Sequence, residues 1–296
     1  MNRVIHYSIA LCLCLGLAPG ANAAITALDD EGNTVQLAGP AQRIISLAPS
    51  LTELLFAAGA GDRLVGVVEY SDFPAAAKSI PIVGRFDLLD METILALQPD
   101  LIVAWGTGNP RASVNRLKSL GLTVYVAEPK ELQSIASHIQ RLAQLAGTED
   151  IAAPFIDRFE QRLAQLTTNY SALPPVKVFY QVWDNPLITA GGNELINDII
   201  AVCGGRNIFG DISLVAPKVS EEAVLARNPQ VIIASGMDQA RPEWLDSWLR
   251  WPALEAVQRQ QLYFIPPELL QRHTPRALDG AEQMCHQIQT VRAQAD

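Results

Sequence analysis

The sequence predicts an α/β protein of two similar Rossmann-like lobes, each with a central parallel sheet, joined by a long backbone helix. Three observations predict it. Short apolar runs alternate with helix-period stretches, two blocks of sequence recur in the same order, and a long amphipathic stretch separates the copies.

The apolar runs are RIISLA, LVGVVE, LIVAW and TVYVAE in the first half, then VKVFYQVW, VIIAS and LYFIP in the second. Each is nearly continuous in its hydrophobicity and bounded by turn residues, which is how strands buried on both faces of a parallel sheet read. Residues 92–106, ETILALQPDLIVAWG, overlie residues 222–236, EAVLARNPQVIIASG, at a constant offset of 130. The identities are Glu92/Glu222, Leu95/Leu225, Ala96/Ala226, Pro99/Pro229, Ile102/Ile232, Ala104/Ala234 and Gly106/Gly236. Each copy reads as a short helix, a Pro-containing turn and a buried strand. A second match, at offset 144, sets TELLFAAGAGDRLVGV against INDIIAVCGGRNIFGD, an amphipathic helix entering a Gly-rich cap and a further strand. Two matches in one order predict an internal duplication.

Between the copies, Ile135, Ile139, Leu142 and Leu145 recur at helical spacing, and after Gly147 so do Ile151, Phe155, Phe159, Leu163 and Leu166. The expected boundaries are 24–145 for the N-terminal lobe, 146–173 for the linker helix and 174–296 for the C-terminal lobe. A helical linker resists large hinge closure, and two lobes joined this way leave a cleft suited to a small ligand.

Residues 1–23 read as a cleavable signal peptide. Arg3 precedes the apolar run YSIALCLCLGLA, which ends at the small-residue site Ala21-Asn22-Ala23. The run is shorter than the roughly 18 to 20 residues that span a bilayer. Cys12 and Cys14 both follow Leu, so neither sits in a lipid-attachment pattern, and a soluble exported protein is expected. The mature chain keeps Cys203 and Cys285, which in an oxidising compartment suggests one disulfide, the alternative being two separately buried thiols. The formal charge of −9 becomes −10 once Arg3 is removed with the signal, which disfavours nucleic acid and anionic membranes as partners. No second run is long enough to cross a membrane.

Catalytic machinery is not legible. The mature histidines His138, His273 and His286 sit in no nucleophile elbow or metal-binding helix, and His138 and His286 read as exposed helix residues. Scattered histidines give no ligand spacing for a metal. The turn Gly106-Thr-Gly-Asn109 follows a strand and could cradle phosphate, but lacks the Lys-Ser/Thr of nucleotide loops, so loop geometry is the expected reason for its glycines. What the strand ends do offer is aromatic: Trp105 ends LIVAW, Trp183 ends VKVFYQVW, and Tyr70 and Phe86 follow LVGVVE. In open α/β sheets ligands bind outside the carboxyl ends of the strands. Each ring alone could plug a core. Four at such edges predict a wall for a large, flat or partly apolar ligand.

The motifs RIISLAPSLTELLFAAG, VGVVEYSDFP, METILALQPDLIVAWGTGN, VCGGRNIFGD, VSEEAVLARNPQ and QRHTPR run from Arg43 towards Cys285. On them the chain resembles periplasmic substrate-binding proteins of the helical-backbone class, which serve ABC importers of cobalamin, haem and siderophores. YSDFP and DLIVAWGTGN point to the cobalamin (vitamin B12) branch. The resemblance implies a monomeric periplasmic carrier, not an enzyme, with no cofactor or metal of its own, whose ligand is cobalamin or a related corrinoid and whose partner is an ABC permease. It implies that Tyr70 and Trp105 contact the corrin and that Arg272 is a pocket arginine. Glu92 and Glu222 would dock onto permease arginines, and Cys203 and Cys285 would form the family's disulfide. The duplication supports the glutamates independently, because a pseudo-twofold protein could present one carboxylate per lobe to a twofold permease.

The chain also departs from that pattern. Phe86 replaces a tryptophan, Glu268 an aspartate, Ile188 a phenylalanine and Ala216 a tryptophan, so Trp183 is expected to compensate in the C-terminal lobe. Phe73, beside Pro74, is expected only to anchor its loop. Ferric siderophore or haem carriage is the alternative within the class, with Arg85, Arg272 and Arg276 as cleft cations. A secreted α/β enzyme is the alternative outside it.

Overall fold

A computed structural model describes residues 24–236 and 240–294. The expected signal peptide, residues 1–23, lies outside the described residues. The N-terminal half comprises β1 (Ile25–Leu28), β2 (Thr34–Leu37), β3 (Ile44–Ser46), α1 (Pro49–Ala57), β4 (Leu64–Val67), β5 (Gly84–Arg85), β6 (Leu88–Leu89), α2 (Met91–Ala96), β7 (Leu101–Trp105), α3 (Arg111–Ser119) and β8 (Val124–Ala127). Two helices follow, α4 (Leu132–Ala146) and α5 (Glu149–Tyr170). The C-terminal half comprises β9 (Val176–Asp184), β10 (Leu187–Thr189), α6 (Leu195–Val202), β11 (Gly205–Asn207), α7 (Glu221–Arg227), β12 (Val231–Ala234), α8 (Glu255–Gln258), β13 (Leu262–Phe264), α9 (Pro267–Leu270) and α10 (Ala277–Ala293).

The first sheet is parallel in the order β4-β3-β7-β8, and the second has the matching parallel order β11-β9-β12-β13. The repeat seen in sequence is thus a repeat of topology. The second lobe adds one feature, β10, which folds back antiparallel along the end of β9 and sets Ile188 opposite Trp183.

Side chains along each strand alternate between two cores. Ile44, Leu101, Val103 and Tyr125 from the first sheet and Val178, Tyr180, Val231 and Ile233 from the second face one continuous core that also takes in α4, α5 and α10. Their neighbours Ile45, Ile102 and Val126, and Phe179, Ile232 and Ala234, pack outward under the remaining helices of each lobe. This explains the unbroken apolar runs, since both faces are buried.

The linker helix is α5, within the expected 146–173. Gly147 ends α4 at φ 61, a backbone conformation that suits glycine, and α5 then begins. Phe159, Leu163 and Leu166 of α5 are buried, whereas Ile151, read as part of the same apolar face, is 65% exposed. Swinging the lobes apart would uncover core side chains worth about 1.5–3 kcal/mol each. The shared core therefore also limits closure.

His138 corrects the sequence reading, being buried rather than exposed. Its Nε2 lies 2.5 Å from Asp30 Oδ2 and its Nδ1 2.6 Å from the Ser134 carbonyl, while Arg141 donates to Asp30 at 2.9 Å. The β1–β2 hairpin is fastened to α4 through this pair, at a distance along the chain that helical periodicity does not report. His286 is exposed.

Candidate functional site

Segments leaving the carboxyl ends of the two sheets meet in an interlobe cleft. Asp72, beyond β4, accepts a hydrogen bond from Arg272, beyond β13, at 2.9 Å. Beneath them Glu53 of α1, its side chain only 2% exposed, accepts two hydrogen bonds from Arg276 at 2.9 and 2.7 Å and lies 3.4 Å from Arg272. A bidentate guanidinium–carboxylate pair fixes orientation as well as charge. The Arg276 guanidinium also stacks 4.1 Å from the Phe73 ring. Phe73 thus anchors its loop across the cleft, onto the other lobe. Burial alone would raise the Asp72 carboxyl, but the Arg272 hydrogen bond and charge, helped by Arg276, hold it below the usual range. Burial lowers Arg276, and Glu53 more than restores it.

The N-terminal lobe also carries the aromatics. Tyr70 is 72% exposed at φ 64, a left-handed conformation disfavoured for a non-glycine residue. Phe86 and Trp105 lie with ring centroids 6.2 Å apart. Both are held by Asn109, which is buried. Its Oδ1 accepts from the Trp105 N–H at 2.6 Å, and its Nδ2 donates to the carbonyls of Phe86 at 2.7 Å and Leu47 at 2.9 Å. The Trp105 ring presses on Gly108, where an added Cβ would come within 1.8 Å of it. The Gly106–Asn109 turn does not stand open to phosphate, because Glu128 already accepts from the Thr107 N–H at 2.7 Å and its hydroxyl at 2.9 Å. Loop geometry is what its glycines serve.

The C-terminal lobe is furnished differently. Trp183 is half-buried and donates its indole N–H to the Asn185 carbonyl at 3.0 Å. It stands directly across the β9–β10 ladder from Ile188, so the two side chains share a face. Ala216 is exposed, beside the exposed Leu214 and Val215, in a loop stitched to β10 and the α6 entry by backbone bonds from Thr189, Gly191 and Gly192. Glu268 and Arg272 line an interlobe cavity of about 490 Å³ together with Asp72, Phe73, Lys78 and Arg276. Arg85 is engaged with Asp87 at 2.6 Å.

Glu92 and Glu222 are the second residues of α2 and α7, both exposed. The helices are capped by Asp90, which accepts from the Glu92 and Thr93 N–H groups, and by Ser220, which accepts from Ala223. Glu222 is held below the usual carboxylate range by its own backbone N–H and the Ser220 hydroxyl. Cys203 and Cys285 are bonded, tying the end of α6 to α10.

Sequence reasoning gave Glu53, Asp72 and Lys78 no role and read Asn109 only as the end of a turn. Glu53 alone left a signal, a carboxylate inside the apolar run of α1 where Leu51, Leu54 and Leu55 are also buried. Among the described residues no cluster of three or more His, Cys, Asp and Glu could hold a metal ion, and no helix is long and apolar enough to cross a membrane.

Two matched α/β lobes on a shared core, with aromatic and charged strand-end loops facing each other, define a ligand-capturing protein of the two-lobed class. A family model described as periplasmic binding protein matches residues 44–269, and the chain belongs to that family. A vitamin B12-binding protein of Vibrio cholerae is 40% identical over 256 residues, covering 86% of this chain and 92% of the relative. The solved structure of a periplasmic vitamin B12 binding protein of Vibrio cholerae superposes with a TM-score of 0.78 at 39% identity, covering 86% of this chain and 98% of that one. A periplasmic haem-binding protein of Roseiflexus shares the fold at 22% identity and a TM-score of 0.71, covering 84% of this chain and 98% of that one.

Proposed function

We propose that this protein captures cobalamin or a related corrinoid in the interlobe cleft of a periplasmic monomer and delivers it to an ABC permease without breaking a bond. The observation that supports the reading is the Phe86–Trp105 pair, ring centroids 6.2 Å apart, on the lobe that also exposes Tyr70, together with the Asp72–Arg272 contact between the lobes, which gives aromatic surface and a few fixed polar groups. The 40% identity to a vitamin B12-binding protein supports the corrinoid over other flat ligands. Tyr70, Phe86, Trp105 and Trp183 would pack on the ligand, with Glu268 and Arg272 supplying polar contacts. Glu92 and Glu222 would dock on the permease, one carboxylate from each lobe.

Titration of the mature protein with cyanocobalamin, cobinamide, haemin and a ferric siderophore, followed by tryptophan fluorescence, tests this. Saturable corrinoid binding is expected, and its absence overturns the reading. One observation favours haem as the second reading, the exposed phenol of Tyr70, which could reach a ferric iron. Haemin binding that is lost in Tyr70→Phe would select it.

A further inference from the structure

Arg272 engages its partners through a single nitrogen. Nη1 makes both the 2.9 Å contact to Asp72 and the 3.4 Å contact to Glu53, so among the described residues the Nε–Nη2 edge of the guanidinium is uncommitted. That edge is a two-pronged donor matched to phosphate and carboxylate oxygens. Arg276 differs, since its Nε and Nη2 are both spent on Glu53. Lys78, in the one-turn helix Ala75–Ser79, lines the same cavity of about 490 Å³ from the opposite lobe, and among the described residues it has no ion-pair partner. A chain of formal charge −9 therefore turns an open guanidinium edge and a spare ammonium toward one interlobe space.

The carboxylates in that space limit what it can take. Asp72 already neutralises part of Arg272, and Glu268 lines the cavity without an ion-pair partner among the described residues. A second negative charge on the ligand would face them, so a singly charged anion fits better than a doubly charged one. We infer that Lys78 and Arg272 form an anion subsite on the flank of the cleft, and that it takes the phosphodiester of the ligand's nucleotide loop. This rests on the corrinoid reading and deepens it. The corrin lies against the aromatic edge while the nucleotide arm reaches towards Lys78, and the protein distinguishes complete corrinoids from those lacking that arm.

Cyanocobalamin and cobinamide, which keeps the corrin but lacks the nucleotide loop, are titrated against the wild type, Lys78→Met and Lys78→Glu. Lys78→Met is expected to weaken cyanocobalamin by about three- to tenfold, the scale of a partly exposed charged contact. Lys78→Glu weakens it further, and cobinamide affinity stays unchanged in both. Lys78 is exposed on the short helix Ala75–Ser79, and an unchanged melting temperature confirms the fold. Equal weakening of both ligands, or no weakening of cyanocobalamin, overturns the inference while leaving the corrinoid reading intact. Competition by millimolar inorganic phosphate against cyanocobalamin but not against cobinamide supports the diester assignment, and phosphate that binds without weakening cyanocobalamin overturns it. A wild type that binds neither corrinoid removes the reading and the inference together.

Discussion

The two lobes share one strand order yet meet the cleft with different chemistry. The N-terminal lobe offers rings, the exposed Tyr70 and the pair Phe86 and Trp105, whose backbones are held by the buried Asn109. The C-terminal lobe offers the guanidinium groups of Arg272 and Arg276, the carboxylate of Glu268, one half-buried tryptophan and an aliphatic loop. The duplicated strands are buried, where strand pairing and two-sided packing restrict each position, and the exposed Glu92 and Glu222 at the matching helix starts are alike as well. Loops beyond the strand ends carry no such restriction, so they have diverged, and the site is asymmetric on a symmetric frame.

The greatest effect is expected where the lobes remain alike. Reversing both Glu92 and Glu222 to Lys should abolish uptake in cells while corrinoid affinity stays constant, and unchanged uptake would remove the docking role. Next comes the clamp that joins the unlike faces. Glu53→Ala leaves two guanidinium groups without their buried partner and should destabilise the fold by about 3–5 kcal/mol in a denaturant titration. A loss below about 1 kcal/mol would show that solvent replaces the carboxylate. Replacing Cys203 and Cys285 together by Ala should cost about 2–4 kcal/mol, because a long loop in the unfolded chain is released.

Smaller effects compare the two walls directly. Tyr70→Ala should weaken cyanocobalamin by about tenfold, the scale of losing one aromatic contact and its buried area. Trp183→Ala should cost several-fold less, and an unaltered affinity would deny that Trp183 compensates for Ile188 and Ala216. The smallest effect is the pH dependence of the Asp72–Arg272 contact. Its folded carboxyl is held below the unfolded value of about 3.9, so its stabilisation is present above that pH and fades as pH falls further. With Asp72 half exposed, the contribution after solvent screening is about 0.5 kcal/mol. Asp72→Asn should flatten the acid limb of a stability profile by that amount, and a profile matching the wild type would show the pair to be neutral.

Much of the frame was legible in the sequence because its causes are local or repeated. Continuous apolar runs specify strands buried twice, Gly147 separates two helical stretches, and the fixed offset of the duplicated blocks specifies two equal lobes. Two thiols in a chain read as exported had few outcomes, and the Cys203–Cys285 bond is the one found. Trp105 was legible as a strand-end aromatic because it is the last residue of β7, whereas Phe86 lies in the turn between β5 and β6, which strand pattern did not report. Tertiary structure alone decided which charges meet. Arg276 finds Glu53 across 223 residues and Arg272 finds Asp72 across 200, and no periodicity reports such a pairing. The same reason explains His138, whose helical position suggested solvent until the β1–β2 hairpin supplied Asp30 to bury it. Local propensity and repetition wrote the lobes, while charge partners, buried polar staples and the open edge of Arg272 exist only once the lobes are packed together.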